Sequence, residues 1–444
     1  MRYAVGSLTL LQPLSGMRGR FVSGAAWNLL ASVCNQGSTL LANVLVARLI
    51  GRQLFGEFTM LQSTLLTFAS LAQVSTGLTA TRYVAEFRTS DPARAGRIVG
   101  LCEQLTTFMS MIGAVALLAA SPWLSTTMLK APQLALGLAL GLGYLVFSAL
   151  NGYQIGTLIG LEGYRSLTYA GILSGTLALV CICLSTSLWG LNGAMAGLSI
   201  SACLRCLFHR HWMRTELRRH GLVVQTRGAW QEYRIITSFA VPAILASYFS
   251  LPAIWYANSV LARQPDGYPQ MALYGAGTSI RLLVLFIPGV INSVAMSLLS
   301  NTRGRSEAHR YDRLLRSSVL VALLSALCGI VLLGSASGLI LHLFGKDFHV
   351  GQPVVWMLLL STIPESLANA LFQDIFTRGR LWLAVATVNI PRETTFVLLA
   401  SLWVPHAGAM GLARAYCAAS ILELSVILIL TAGLRRSQSA LSTA

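Results

Sequence analysis

The chain has 444 residues, 55% of them hydrophobic and only 11% charged, with a mean hydropathy of +0.66. A soluble domain carries about 25% charged residues, so this composition excludes an ordinary water-soluble enzyme. Lys and Arg outnumber Asp and Glu by 32 to 15. In a soluble protein that surplus suggests nucleic acid; in a membrane protein it reports which loops face the cytoplasm.

Taken from the N-terminus, residues 1–20 are polar around Pro13 and Gly16, and no small-residue cleavage site follows a compact apolar core. No cleavable signal peptide is read there, and Met17, just ahead of Arg18 and Arg20, is a candidate start. A membrane-crossing helix needs about 20 mostly apolar residues. That rule predicts twelve spans, near 21–46, 57–79, 98–120, 134–157, 168–188, 190–208, 237–260, 272–298, 317–341, 353–375, 381–402 and 407–433. The runs lack the period-two alternation of barrel strands. The expected fold is all-α, a polytopic protein of twelve transmembrane helices.

Alternate connections differ sharply in basic residues. The N-terminus, the loops near 81–97, 160–167, 204–236, 301–316 and 376–380, and the C-terminal tail hold 24 of the 32. Arg48, Arg52, Lys130, Arg263 and Lys346 fall on the other side, and Arg281, Arg392 and Arg414 within spans. Both termini are therefore predicted to be cytoplasmic, and the surplus is almost wholly topological rather than a nucleic-acid signal. Trp123, Trp189 and Trp403 stand at outer span ends, as interfacial anchors do.

The most basic connection, 209–236, sits near mid-chain and reads as a solvated linker facing lipid headgroups. It separates a six-helix bundle over 1–208 from a second over 237–444. An internal repeat supports this division. Ser187-Leu188-Trp189 followed by Gly193-Ala194-Met195-Ala196-Gly197-Leu198 recurs, 214 to 215 residues later, as Ser401-Leu402-Trp403 followed by Gly408-Ala409-Met410-Gly411-Leu412. Six spans per half keep the repeats parallel, and such folds place substrate between the halves near mid-membrane.

The eight cysteines lie in or beside apolar runs, so small apolar packing is expected rather than a disulfide framework. No metal-ligand cluster, Walker motif or nucleophile elbow is found, and no cofactor is expected. Span one carries Asn28, Ser32, Asn35, Thr39 and Asn43 on one helical face, and span two adds Thr59, Gln62, Ser70 and Gln73. Interhelical hydrogen bonding is the alternative; two adjoining polar faces favour a hydrated cavity wall.

The second half carries the intramembrane charges: Arg281, Glu365, Arg392, Glu393, Arg414 and Glu423. All but Arg414 and Glu423 lie roughly 14–18 Å from the end of their span, where an unpaired charge costs at least a few kcal/mol. They read either as structural ion pairs, such as Arg392 with Glu365 or Arg414 with Glu393, or as a guanidinium cluster for an anionic ligand. In the second reading the carboxylates act as counter-ions or proton carriers. Pro242, Pro252, Pro364 and Pro391 also lie within spans of this half. Proline kinks a helix, and Pro364 and Pro391 directly precede Glu365 and Arg392, so these positions are candidate gates.

With these landmarks the chain resembles the polysaccharide repeat-unit flippases, in the superfamily that also holds lipid II flippases and multidrug and toxic-compound extrusion transporters. The echoes are Gly51 with Phe55-Gly56-Glu57-Phe58, Gly77-Leu78 to Arg82-Tyr83-Val84-Ala85-Glu86, Leu273-Tyr274-Gly275-Ala276 leading to Arg281, and Leu343-Phe344-Gly345 to Phe348. The resemblance implies transfer of an undecaprenyl-pyrophosphate-linked oligosaccharide across a bacterial inner membrane, for exopolysaccharide, O-antigen or capsule synthesis. Arg281, Arg392 and Arg414 are then expected to hold the pyrophosphate, and Asn28, Asn35, Thr39, Asn43 and Gln62 to solvate sugar hydroxyls. Glu365, Glu393 and Glu423 are expected to serve coupling by H+ or Na+, with a polysaccharide polymerase and export machinery as partners. Two alternatives remain: cation-coupled drug extrusion by a relative in the same superfamily, and a membrane-embedded polymerase or ligase, which the short outward loops disfavour.

Overall fold

In a computed structural model, residues 17–235, 250–304, 308–377 and 385–443 are described, with side chains placed over 36–235, 250–292, 311–375 and 385–433. Backbone amides in hydrocarbon have no water to bond, so each crossing segment must satisfy them internally. The chain accordingly forms α1 (Met17–Gln73), α2 (Thr76–Phe87), α3 (Pro92–Trp123), α4 (Leu134–Gly160), α5 (Tyr164–Arg219), α6 (Ser250–Ala262), α7 (Gly267–Gly304), α8 (Ala308–Ser335), α9 (Ser337–Phe344), α10 (Gln352–Thr377) and α11 (Ile390–Thr443). No strand occurs among the described residues. Seven helical stretches there are long and apolar enough to cross a membrane, which makes this a multi-pass membrane protein.

α5, at 56 residues, would run about 84 Å if straight, far beyond a hydrocarbon core of about 30 Å. It is broken instead at Trp189 and Gly190, where Gly190 takes φ 56° and ψ −132°. α11 breaks in the same conformation at Gly408, φ 54° and ψ −129°. A Cβ disfavours this backbone, so glycine marks both turns.

These two turns correct the register of the internal repeat. Three residues past each break a glycine packs on a carbonyl of the preceding helix: a Cβ on Gly193 would lie 1.8 Å from Ser185 O, and one on Gly411 2.4 Å from Trp403 O. Gly190 with Gly408, Gly193 with Gly411 and Ser185 with Trp403 are each 218 apart, so Ser187-Leu188-Trp189 and Ser401-Leu402-Trp403 are not counterparts. Sequence identity alone had matched the wrong glycines, because which one takes positive φ is a backbone property.

The segment read as a solvated linker keeps Arg214, Arg218, Arg219, Arg227 and Arg234 exposed but is docked in part. α5 continues through it to Arg219. Residues 222–226 then run along α3, where Gln225 N–H donates to Gly96 O (3.2 Å) and Gln104 Nε2 to Thr226 O (3.2 Å). Glu232 receives Arg94 Nε at 3.0 Å and Arg97 Nη2 at 3.1 Å, so two basic residues of the 81–97 loop pair with this segment.

Small residues let backbones close up where lipid offers no hydrophobic drive. Gly152, Gly156 and Gly160 line one face of α4 against α2, and Thr81 Oγ1 donates to Gly156 O at 3.1 Å. A Cβ at Gly156 would lie 2.1 Å from Gly77 O, backbone that cannot swing aside. Gly156→Val is therefore expected to part α2 from α4 and cost about 1–3 kcal/mol or more. Thermal unfolding of the purified protein in detergent checks this; an unchanged midpoint would contradict the close approach.

The described cysteines are all free, as expected of apolar packing, and Cys206 Sγ accepts from Gln154 Nε2 at 3.3 Å.

Candidate functional site

Two polar places are enclosed by this helix packing. The first is a charge network among α6, α7, α10 and α11. Arg281, only 8% exposed, donates from Nη1 to Glu365 Oε2 at 2.5 Å and to Tyr416 OH at 2.9 Å. Arg392 reaches the same hydroxyl from the other side, Nη2 to OH at 3.0 Å, and the hydroxyl donates to Glu365 Oε1 at 3.2 Å. Arg392 also pairs with Glu393 and places Nε 2.8 Å from Glu423 Oε2. Ser250 Oγ donates to Glu393 Oε1 at 2.6 Å. The Tyr416 ring lies beneath both guanidinium carbons, at 4.4 Å from Arg281 and 5.4 Å from Arg392, and is braced edge-on by Phe396 at 5.5 Å. Cation–π attraction strengthens in such desolvated settings.

Five of the predicted residues thus meet: Arg281, Glu365, Arg392, Glu393 and Glu423. Their pairing corrects the sequence expectation. Arg281, not Arg392, takes Glu365, and Arg392 takes Glu393 and Glu423. Arg414 is exposed and makes no ion pair among the described residues, so it stands apart from Glu393.

Helix geometry explains the difference. Nine residues from Arg414 to Glu423 turn an α-helix to its opposite face, about 180° away, whereas seven from Tyr416 to Glu423 return within about 20°. Tyr416 is the hub that sequence reasoning missed, and its seven-residue spacing from Glu423 was the available signal.

The second polar place is a cavity of about 110 Å³ between α1, α4 and α5, lined among others by Thr39, Asn43, Gln62, Tyr144, Ser201 and Arg205. Thr39 and Asn43 of the predicted span-one face meet Gln62 of span two here, whereas Thr59, Ser70 and Gln73 do not line the cavity. Asn28 and Asn35 fall outside the described side chains. Asn43 also crosses to α7, where its Nδ2 donates to Ser279 Oγ at 3.2 Å. Arg205 had been counted with the basic loop, but it lies about 22 Å along α5 from the Gly190 break and faces this cavity. Its Nε is buried with no hydrogen-bond partner.

Among the described residues, contacts between the part of the chain before residue 220 and the part after 250 gather around one end of the helices. Arg48 Nε donates to Leu343 O (2.6 Å), Arg52 Nε to Pro269 O (3.0 Å) and Tyr268 OH to Leu129 O (2.8 Å). Trp255 Nε1 donates to Thr64 Oγ1 (2.9 Å) and Asn258 Nδ2 to Ser63 Oγ (3.2 Å). Phe55 packs edge-on against Phe344 and Phe348, at 5.9 and 6.0 Å. The main apolar core draws on both parts. Two smaller clusters do not: one holds Val84, Ile98, Tyr153 and Leu217, the other Ala368, Ile375, Val388 and Ile427.

Long kinked helices with paired charges shut inside an apolar interior define the class, a multi-pass helical membrane protein. Residues 21–300 match the polysaccharide biosynthesis protein family, and the chain belongs to it. A curated relative is the EPS I polysaccharide export inner membrane protein EpsE of Ralstonia nicotianae. It is 23% identical over 409 residues, covering 89% of this chain and 91% of the relative. The fold is shared with an inward-facing multidrug resistance MATE family transporter of the MOP superfamily (TM-score 0.74, 15% identity, 95% of this chain and 99% of that one). It is shared as well with the lipid II flippase MurJ in an inward closed conformation (TM-score 0.68, 13% identity, 90% and 86%).

Proposed function

We propose that this chain is a polysaccharide-export transporter of a bacterial inner membrane, one that flips an undecaprenyl-pyrophosphate-linked oligosaccharide repeat unit by alternating access. The one-ended contact between its two parts carries the reading. Arg48 and Arg52, which the charge pattern puts on the periplasmic side, hold that end shut across the two parts. Among the described residues, two smaller apolar clusters each draw on one part alone, which supports a looser junction toward the other end. A two-bundle arrangement, residues 1–208 and 237–444, that rocks about such a contact exposes a central site to one side at a time. Splitting α1, α5 and α11 at Gly51, Gly190 and Gly408 supports twelve crossings, with both termini cytoplasmic.

Roles divide between the two polar places. The network holds two guanidinium groups and three carboxylates, a formal charge of −1, so one H+ or Na+ neutralises it; that supports ion coupling through Glu365, Glu393 and Glu423. Arg281 and Arg392 are engaged by these carboxylates, and substrate pyrophosphate must compete with them. Thr39, Asn43 and Gln62 offer hydroxyl and amide partners to sugar in a cavity that, at about 110 Å³, needs the parts to separate before it admits a glycan. Pro364 and Pro391 adjoin Glu365 and Arg392, and Pro391 follows a π-helical turn over Val385–Asn389, which suits both prolines, with Pro252 in α6, to bending. Pro242 lies outside the described residues. Cation-coupled drug extrusion has less support, because every one of the three carboxylates already faces an arginine.

The test is a deletion strain with no second flippase. Lipid-linked repeat units are expected to accumulate facing the cytoplasm, and the wild-type gene, but not one encoding Arg392→Ala, restores surface polysaccharide. Normal polysaccharide in the deletion strain would overturn the proposal. A gain in drug susceptibility with polysaccharide unchanged would favour extrusion.

A further inference from the structure

A separate groove crosses the break of α11. About 440 Å³ in volume, it is lined by Met357 of α10 and by Trp403, His406, Arg414, Cys417 and Ile421 of α11. It shares no lining residue with the charge network or the Arg205 cavity. Arg414 is exposed there, and none of the ion pairs among the described residues includes it.

Depth gives the groove two unlike ends. Trp403 and His406 stand at the turn, Arg414 lies about 9 Å below Gly408, and Ile421 about 10 Å deeper still. The upper end thus carries a guanidinium, an imidazole and an indole at interfacial depth, where tryptophan settles. The lower end is Met357, Cys417 and Ile421, with Leu360 and Ile421 exposed to the surround at 47% and 53%. A guanidinium at this depth on an outward face must snorkel or be met by an anion. The planar fork favours phosphate oxygens. No carboxylate lines the groove, so a headgroup ammonium finds no acceptor.

We propose that this groove binds a phospholipid with a net anionic headgroup, its phosphate on Arg414 and one acyl chain along Met357, Cys417 and Ile421. The proposal requires only that the chain spans a membrane, so it stands or fails apart from the substrate reading above. It also has a mechanical consequence. Arg414 and Tyr416 are two residues apart, about 200° around one turn of α11, so the lipid and the charge network hold opposite faces of the same helix segment.

The experiment is native mass spectrometry of the full-length protein, delipidated in detergent and then given phosphatidylglycerol or phosphatidylethanolamine. One phosphatidylglycerol is expected to stay bound where phosphatidylethanolamine is lost. Arg414→Gln is expected to weaken retention about five- to tenfold, and Arg414→Lys to retain most of it. Ala418 also lines the groove, and Ala418→Trp, which fills it and leaves the charge, should abolish retention as well. Equal retention of both lipids, or unchanged retention by both Arg414→Gln and Ala418→Trp, would overturn the proposal. Displacement of the bound lipid by millimolar inorganic phosphate would also overturn it, marking a free-anion site instead.

Discussion

Arg281→Gln is expected to abolish transport and destabilise the protein, while Arg281→Gln combined with Glu365→Gln recovers the stability without the transport. The single change leaves the Glu365 carboxylate inside the apolar interior without its ion-pair partner, held by the Tyr416 hydroxyl at 3.2 Å and by Arg392 at longer range. Breaking a buried pair by removing one partner costs about 3–5 kcal/mol. Removing both charges deletes the desolvation penalty along with the attraction, and such paired replacements are often near neutral. Thermal unfolding in detergent reads the first effect. Surface polysaccharide in a complemented deletion strain reads the second. A double variant that transports normally would reduce Arg281 and Glu365 to scaffolding and remove them from the coupling reading.

Tyr416→Phe belongs to the same test. The ring and its contacts with Phe396 and both guanidinium groups remain, but the hydroxyl that two arginines and Glu365 share is lost. Leaving buried donors unmatched costs about 1–3 kcal/mol. A smaller destabilisation than that of Arg281→Gln is expected, together with a transport defect, because among the described residues this hydroxyl is the hydrogen-bonded bridge between the Arg281 and Arg392 clusters.

Locking the closed end should stop transport outright. Ser63 and Asn258 meet across the two parts at 3.2 Å, and both sit beside the Trp255–Thr64 bond at 2.9 Å. Cysteines at these two positions, in a background with the native cysteines replaced, are expected to accept a short thiol-reactive cross-linker. Cross-linked protein should carry no transport, and a reducible linker should restore it on cleavage. Full transport by cross-linked protein would mean that this end never opens, and would defeat alternating access as proposed. Phe55→Ala acts in the opposite direction. It empties the space between Phe344 and Phe348 and is expected to weaken the closed end by about 3–5 kcal/mol.

Much of the fold was legible from local pattern. The helical class and the multi-pass character follow from run length and composition, which need no knowledge of neighbours. The candidate charges were legible too, since a mid-span Arg281 or Glu365 is conspicuous at any rotation of its helix. Their partners were not. Pairing depends on how each helix is turned about its axis, and a nine-residue spacing sent Arg414 to the face opposite Glu423 while Tyr416, unmarked by charge, took the centre. The repeat shows the same limit. Matching letters gave an offset of 214 to 215, whereas the positive-φ glycines give 218.

What the amino-acid sequence determined by itself is therefore a polytopic helical membrane protein with charges committed to its interior, because hydrophobic length and charge placement act residue by residue. Only the tertiary structure decided that Arg281 meets Glu365, that Arg205 faces a cavity rather than a loop, and that Arg414 looks outward. Those outcomes depend on helix rotation and on the glycine breaks that set it. They turn on close packing among segments far apart in the chain, 84 residues for Arg281 and Glu365, and no local pattern encodes that.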